Sequence, residues 1–409
     1  MAVDRGGSDL HPALLLQGAL ADRDPLCGVP RPLCGRAAVL AAGGDRVRFR
    51  HGLIVGKFYP PHAGHHALIE AAAAACDRVT VVVAPSSRES IPLAVRLEWL
   101  RAAHGPDVRF AGVYDDHPID YADPAVWDLH MVVFRDAVGA EPVDAVFSSE
   151  AYGAELARRF GAVAVPVDPD RRRVPISGSA IRADPIAHWA HLGPGPRAWL
   201  ARRVIVVGAE STGTTTTARA LARHYRTRGG VWASTGWVPE FGRELTGRKL
   251  AALRRVRPEA TVFDVTWDRD DFITVAVEQA AAEDAVAAAG SPVVFGDTDA
   301  FATTIWEERY LGSTSAKVGE LVRDPDLYLL TDDAGVPFED DGLRDGEHLR
   351  RWMTGRFRAE LAARDVPWIE LTGGYRERLT TAIRAVDRLL AAGWRFAPPL
   401  SPAGQAAEG

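Results

Sequence analysis

At 409 residues, with 47% hydrophobic and 25% charged residues, the chain has the composition of a soluble globular protein and room for two cores. A formal net charge of −6 argues against a broad nucleic-acid-binding surface, yet leaves space for a local basic pocket that holds phosphates. Cys27 and Cys34 lack Cys or His companions at metal spacing, and no apolar run reaches membrane-spanning length; neither a cysteine zinc site nor a membrane partner is expected, and the default setting is cytoplasmic.

Residues 1–48 scatter Gly, Pro and Asp around one Ala/Leu patch and read as a loosely ordered extension without a helix-turn-helix. The pattern changes at Gly52. Residues 52–56 predict a buried strand, 67–75 a small-residue helix, 79–84 a second strand, 95–103 a helix and 145–148 another strand. Such alternation predicts a parallel sheet covered on both faces, with ligands beyond the carboxyl ends of its strands. This first domain is expected over 49–192. Gly193-Pro194-Gly195-Pro196 opens a junction expected over 193–202. Alternation then restarts: strand 204–207, helices 216–226 and 271–289, strands 293–295 and 327–331. A second α/β domain is expected over 203–395 and a flexible tail over 396–409. The fold class is therefore α/β, with two parallel-sheet domains.

The most informative segment is Gly56-Lys57-Phe58-Tyr59-Pro60-Pro61-His62-Ala63-Gly64-His65-His66. It follows a strand and opens a helix, which aims free backbone N–H groups and a positive dipole end at an anion. Gly64 permits close approach of a phosphate. Adenylyl transfer needs charge stabilisation and in-line alignment without a covalent enzyme intermediate, and two imidazoles with a lysine suit it. Lys57 is one of only three lysines, against a background of arginine. Farther along, Ile176-Ser177-Gly178-Ser179-Ala180-Ile181-Arg182 places small hydroxyls at a helix start, with Arg182 as a charged fork. His66 reads as helix surface, and Arg171-Arg172-Arg173 as an exposed turn that has polyphosphate as its alternative partner.

These motifs resemble the His-x-Gly-His nucleotidyltransferase superfamily, and in particular the bifunctional nicotinamide mononucleotide adenylyltransferase / ribosylnicotinamide kinase (NadR-type) family. The resemblance also covers Arg96-Leu97-Glu98-Trp99, Phe147-Ser148-Ser149-Glu150 and Val167-Asp168-Pro169-Asp170-Arg171. It implies a Rossmann-like first domain and a P-loop kinase-like second one. His62, His65 and Arg182 would handle ATP phosphates, with Lys57 beside them. Gly56, Phe58, Tyr59, Ser148, Ser149 and Glu150 would line the nucleotide site, and Arg88 and the 116–127 segment would lie near the nicotinamide nucleotide. Trp99 and Trp127 are candidates to stack on a flat ring.

The second domain opens with Gly208-Ala209-Glu210-Ser211-Thr212-Gly213-Thr214-Thr215-Thr216, which has the frame of a phosphate-binding loop in the right context. Backbone N–H groups can cradle ATP phosphates and Thr215 can hold Mg²⁺. Thr214 stands where the motif has lysine, a contact worth roughly 3 kcal/mol in a transition state. Arg219 or a lid arginine would have to replace it. Asp297 and Asp299, after an apolar strand, are candidates for Mg²⁺ or for the substrate hydroxyl proton. The resemblance extends to Glu240 and Arg243 as substrate residues and to Asp340-Asp341-Gly342-Leu343-Arg344 as a lid with a phosphate-facing Arg344.

The expected activity is synthesis of NAD and pyrophosphate from ATP and nicotinamide mononucleotide, with Mg²⁺, joined to phosphorylation of ribosylnicotinamide. One alternative keeps the first reaction and makes the P-loop domain an ATP-binding regulator. Another is an NAD-sensing repressor. The sequence leaves open a homo-oligomer and the choice between amide and acid mononucleotide.

Overall fold

The computed structural model describes residues 48–400; of the extension expected over 1–48, residues 1–47 lie outside them. The chain runs β1 (Phe49–Gly56), α1 (Ala63–Ala75), β2 (Cys76–Val83), α2 (Leu93–Ala103), β3 (Val108–Gly112), α3 (Pro124–Val138), β4 (Ala145–Ser148), α4 (Tyr152–Phe160), β5 (Val163–Pro166) and α5 (Gly178–Ala183). After α6 (Pro194–Leu200) come β6 (Arg202–Gly208), α7 (Thr214–Arg226), β7 (Gly236–Val238), α8 (Phe241–Arg254), α9 (Arg269–Ala289) and β8 (Val293–Asp297). The chain continues through α10 (Ala300–Leu311), α11 (Ala316–Glu320), β9 (Leu327–Thr331), α12 (Arg350–Ala362), β10 (Trp368–Leu371) and α13 (Tyr375–Ala391).

Two five-stranded parallel sheets result, ordered β3-β2-β1-β4-β5 and β10-β9-β6-β8-β7. The central strands are apolar on both faces because helices cover both. Val204, Ile205, Val206 and Val207 of β6 are all buried, alternately facing two separate clusters. The flanking helices bury one stripe each. In α13 it is Ala382, Ala385, Val386 and Leu390, at helical spacing. In the first sheet the order reverses between β1 and β4, and the crevice at such a reversal is where ligands of open α/β sheets bind. In the second, β6 lies between β8 and β9, so the loop after β6 faces the end of β8.

The 193–202 stretch, expected as a junction, contains the packed helix α6. Leu200 and Ala201 share a core with Ile176, Ile181, Trp189 and Leu192 on one side and Val238, Ala287 and Val294 on the other. The Trp189 indole N–H donates to the Gly290 carbonyl at 2.9 Å. The tail also differs from expectation as far as it is described. Ala397 N donates to Ser90 Oγ at 2.6 Å, and the Tyr59 hydroxyl donates to the Ala397 carbonyl at 3.0 Å. Pro and Ala there leave backbone groups that the first domain's hydroxyls satisfy. Among the described residues no helix is long and apolar enough to cross a membrane.

Candidate functional site

Two clefts lie where the topology puts them. In the first, β1 ends at Gly56 and the chain turns through Pro60-Pro61 into α1, whose N-cap is His62. The helix starts at Ala63, four residues earlier than the sequence reading, so His65 and His66 sit on its first turn. The His62 and His65 rings stack with centroids 3.7 Å apart, and Phe58 lies 4.7 Å from His65 with its backbone at φ 51°. Gly64 suits this stacking, because a Cβ there would stand 3.1 Å from the His62 ring and crowd it. Both Nδ1 atoms are buried without a hydrogen-bond partner. Burial pushes the His62 pKa down to about 3 and holds that of His65 well below the ordinary histidine value. The rings are therefore neutral polar groups aimed at a ligand, since two stacked imidazolium ions would repel.

The Ile-Ser-Gly segment closes the same cleft. Ser177 caps α5 by accepting from Ala180 N at 3.1 Å, and His62, His65, Ser177 and Gly178 line one cavity. Arg182 Nη1 donates to the Tyr59 carbonyl at 2.7 Å, its guanidinium lies 4.9 Å over the Tyr59 ring, and Nη2 reaches Ser179 Oγ at 3.2 Å. Gly178 leaves room for that arrangement, because a Cβ there would lie 3.1 Å from the Tyr59 carbonyl oxygen. Ile176, Ser149 and Glu150 complete the wall, while the Ser148 hydroxyl is tied to the Glu150 backbone.

Arg171, read as an exposed turn, lines this cleft and pairs with Glu150. His66 is not plain helix surface either: its Nδ1 meets His104 Nε2 at 2.9 Å, and burial takes its pKa down to about 4. Lys57 points elsewhere, donating to the Leu400 carbonyl at 2.9 Å with Glu89 3.6 Å away. Arg88 is exposed. Neither proposed stacking tryptophan lines the His62 and His65 cavity. Trp127 is buried beside Tyr121 and under Arg159, and Trp99 packs edge-on against Trp199 where Gly195 leaves space. Apolar side chains around both indoles outweigh their value as exposed platforms.

In the second cleft the P-loop geometry explains its residues. A Cβ on Gly208 would stand 2.2 Å from Thr331 Oγ1; Ser211 has φ 59° and Gly213 φ 93°, the conformation from which α7 starts at Thr214. The Thr215 hydroxyl donates to Asp297 Oδ2, and Asp297 Oδ1 is buried without a partner. A hydroxyl and an unsatisfied carboxylate oxygen at a helix start are a donor set that fits Mg²⁺. Burial raises the Asp297 pKa. Glu240 is pushed up to about 8 by burial and the Asp297 charge.

A cavity of about 450 Å³ joins the loop, including Glu210, Thr214, Thr215 and Thr216, to Glu240, Arg243 and Arg344. Arg344 Nη1 reaches Ser211 Oγ at 3.3 Å and Arg243 pairs with Asp341, so the lid segment is drawn onto the loop. Glu210 ties the loop to α10 and to the chain just past Arg344, accepting from Arg309 at 3.2 Å and from Gly346 N at 2.7 Å. Thr212 serves the loop's own shape through Thr331 at 2.7 Å. Arg219 lies over Trp237, leaving Arg243 and Arg344 as the arginines on the cavity wall among the described residues. Asp299 does not join this site. It caps α10 by accepting from Ala302 N at 2.9 Å, takes the Tyr328 hydroxyl at 2.6 Å, and is pushed up to about 6 by burial. The sequence reading missed the aromatic walls Trp267, Trp306 and Tyr310. Their only signal was tryptophan abundance, which gives no position.

Comparison with known proteins matches both halves in order. A cytidylyltransferase-like family model covers residues 53–184 and an AAA domain model covers 203–378. The trifunctional NAD biosynthesis/regulator protein NadR of Salmonella typhimurium is 26% identical over 310 residues, covering 72% of this chain and 71% of the relative. The NadR of Escherichia coli is 26% identical over 312 residues with the same coverage. Solved structures of a NadR protein in complex with NR, and of one with NAD and AMP-PNP, superpose with a TM-score of 0.59 at 23% identity. They cover 84% and 85% of this chain and 96% and 98% of their own, which shows the fold. A cytidylyltransferase-like segment is thus followed by an AAA-type segment, and over 72% of its length the chain is similar to NadR proteins.

Proposed function

We propose that the first cleft transfers the adenylyl group of ATP to nicotinamide mononucleotide. The convergence of His62, His65 and the Ser177–Arg182 helix start at one crevice carries this reading. A phosphate oxygen of the mononucleotide attacks the α-phosphorus of ATP. The bond from that phosphorus to the bridging oxygen breaks, and its electron pair leaves with pyrophosphate, giving NAD. Neutral imidazole N–H groups and helix-start amides stabilise the charge that grows on the α-phosphate, in a site too dry to screen it. Arg182 and Arg171 offer charge to the triphosphate, and Lys57 joins them when it leaves the Leu400 carbonyl. Mg²⁺, when bound with ATP, would supply charge that offsets that of the departing pyrophosphate.

The second cleft is proposed to phosphorylate ribosylnicotinamide. The P-loop amides and Arg344 hold ATP, Thr215 and Asp297 hold Mg²⁺, and Glu240 takes the proton of the attacking hydroxyl. Trp267, Trp306 and Tyr310 give a flat ring an aromatic wall. The names of the relatives, which include NAD biosynthesis, agree with both reactions. Thr214 favours a second reading, in which this domain binds ATP and turns it over slowly.

The full-length chain tests both assignments. Pyrophosphate release should require the mononucleotide and fail in His62→Ala, while ADP release with ribosylnicotinamide should fail in Asp297→Asn alone. Mononucleotide-independent pyrophosphate release would defeat the first assignment, and ADP release indifferent to Asp297 the second.

A further inference from the structure

Outside both phosphate clefts, three side chains converge where β3 leaves the first sheet. Asp115, buried, begins the loop; its backbone N–H donates to the Pro85 carbonyl at 2.9 Å. His117 Nδ1 lies 2.9 Å from Asp115 Oδ1, and His130 Nδ1, from the middle of α3, lies 2.6 Å from Asp115 Oδ2. One ligand atom from each residue falls within 4.8 Å of the others. The far nitrogen of His130, Nε2, meets the Pro118 carbonyl at 2.9 Å. Both ring nitrogens thus face acceptors; a cation at Nδ1 would take the place of the proton shared with Asp115, while the Pro118 carbonyl holds the ring from its far side, as ligand histidines are commonly held. The His130 ring is clamped by Phe134, stacked at 5.9 Å, and by Trp127 edge-on at 6.4 Å.

We propose that Asp115, His117 and His130 form a site for a divalent transition metal of the zinc class, pinning the loop after β3 to α3. Two imidazoles and one carboxylate make a mixed nitrogen–oxygen set, which suits Zn²⁺, Co²⁺ or Ni²⁺ and not Mg²⁺. Three protein ligands leave one tetrahedral position for water, on the side where His117 is partly exposed. The site is separate from the Mg²⁺ that accompanies ATP. It rests on the side-chain geometry alone and stands whichever reaction the clefts perform.

The test uses full-length protein stripped with a chelator and titrated with Zn²⁺ against a chromogenic competitor, with Mg²⁺ as a control. Wild type should bind Zn²⁺ in a site that His130→Ala and Asp115→Asn each weaken on the order of 100-fold or more, the upper end of what losing even a supporting group costs. His117→Ala removes a part-exposed ring, and circular dichroism checks that this and the other two variants are folded. Substitution with Co²⁺ should give tetrahedral d–d bands that vanish in all three variants and carry no thiolate charge-transfer band, which sets this site apart from any at the cysteines. The proposal is overturned if Zn²⁺ binds no more tightly than Mg²⁺, or if binding and the Co²⁺ spectrum persist in folded His117→Ala and His130→Ala proteins. The three side chains would then be an ion-pair network only.

Discussion

Replacing His62 by alanine should move activity and acid stability in opposite directions. The ring is 4% exposed, stacks on His65, and has no partner for Nδ1. Removing one preorganised donor from a developing oxyanion costs about 2.7–4 kcal/mol, so kcat for mononucleotide-dependent pyrophosphate release should fall roughly 10²–10³-fold. A double change with His65 should cost much less than the product of the singles, because both rings act on one charge. With a folded pKa of about 3 against an ordinary 6.5, about one His62 ring in a thousand carries a proton at pH 6. The wild-type pH–rate profile should therefore show no limb near 6.5 from this residue. The unfolded chain takes up that proton below pH 6.5 and the folded chain does not, so stability is complete above 6.5 and declines as pH drops. His62 alone contributes about 2 kcal/mol of that decline by pH 5. Urea titrations at pH 7.5 and pH 5 should show His62→Ala losing less stability between them than wild type does. A kcat limb near pH 6.5 that disappears in His62→Ala would refute the argument, since it would mean that a charged imidazole does the work.

Four further outcomes follow from particular contacts. Gly208→Ala places a methyl group 2.2 Å from Thr331 Oγ1 and should abolish ADP release, while pyrophosphate release persists. Thr214→Lys restores a point charge to the loop and should raise kinase turnover by up to about 100-fold, worth roughly 3 kcal/mol; a drop would mean that Arg344 already fills the role. Arg96 is fully buried, 2.6 Å from Glu89 and bonded to the Ile91 and Lys57 carbonyls, so Arg96→Ala should destabilise the chain by about 3–5 kcal/mol in a denaturant titration. Glu283, buried on α9 with Arg323 no nearer than 3.8 Å, is pushed up to about 8 by burial. The folded chain holds that proton longer than the unfolded one, so stability falls by up to about 1.4 kcal/mol per unit as pH climbs from 4.5 toward 8, a slope Glu283→Gln should remove.

Read from sequence, the strands at 52–56, 79–84, 145–148, 204–207, 293–295 and 327–331 stood out because burial on both faces demands unbroken apolar runs. Both glycine-containing loops that open a helix were legible for a related reason. A helix start that holds phosphate needs glycine and small hydroxyls at fixed spacing, and chain order records that spacing. Short edge strands such as β5 and β7, and helices α3, α12 and α13, were not legible. Part-exposed edges weaken the pattern of β5 and β7, and arginines dilute that of α12.

What the sequence alone determined was local: where the apolar strands run and which glycine-containing loops follow them into a helix. Tertiary structure decided what chain order cannot encode, because partners far apart in sequence set burial. Asp299 looked like Asp297's companion, yet packing turned it toward the α10 start and Tyr328. Lys57 lay on the motif, yet its ammonium meets the carbonyl of Leu400, far along the chain. Asp115, His117 and His130 meet only because α3 packs back against the loop that leaves β3.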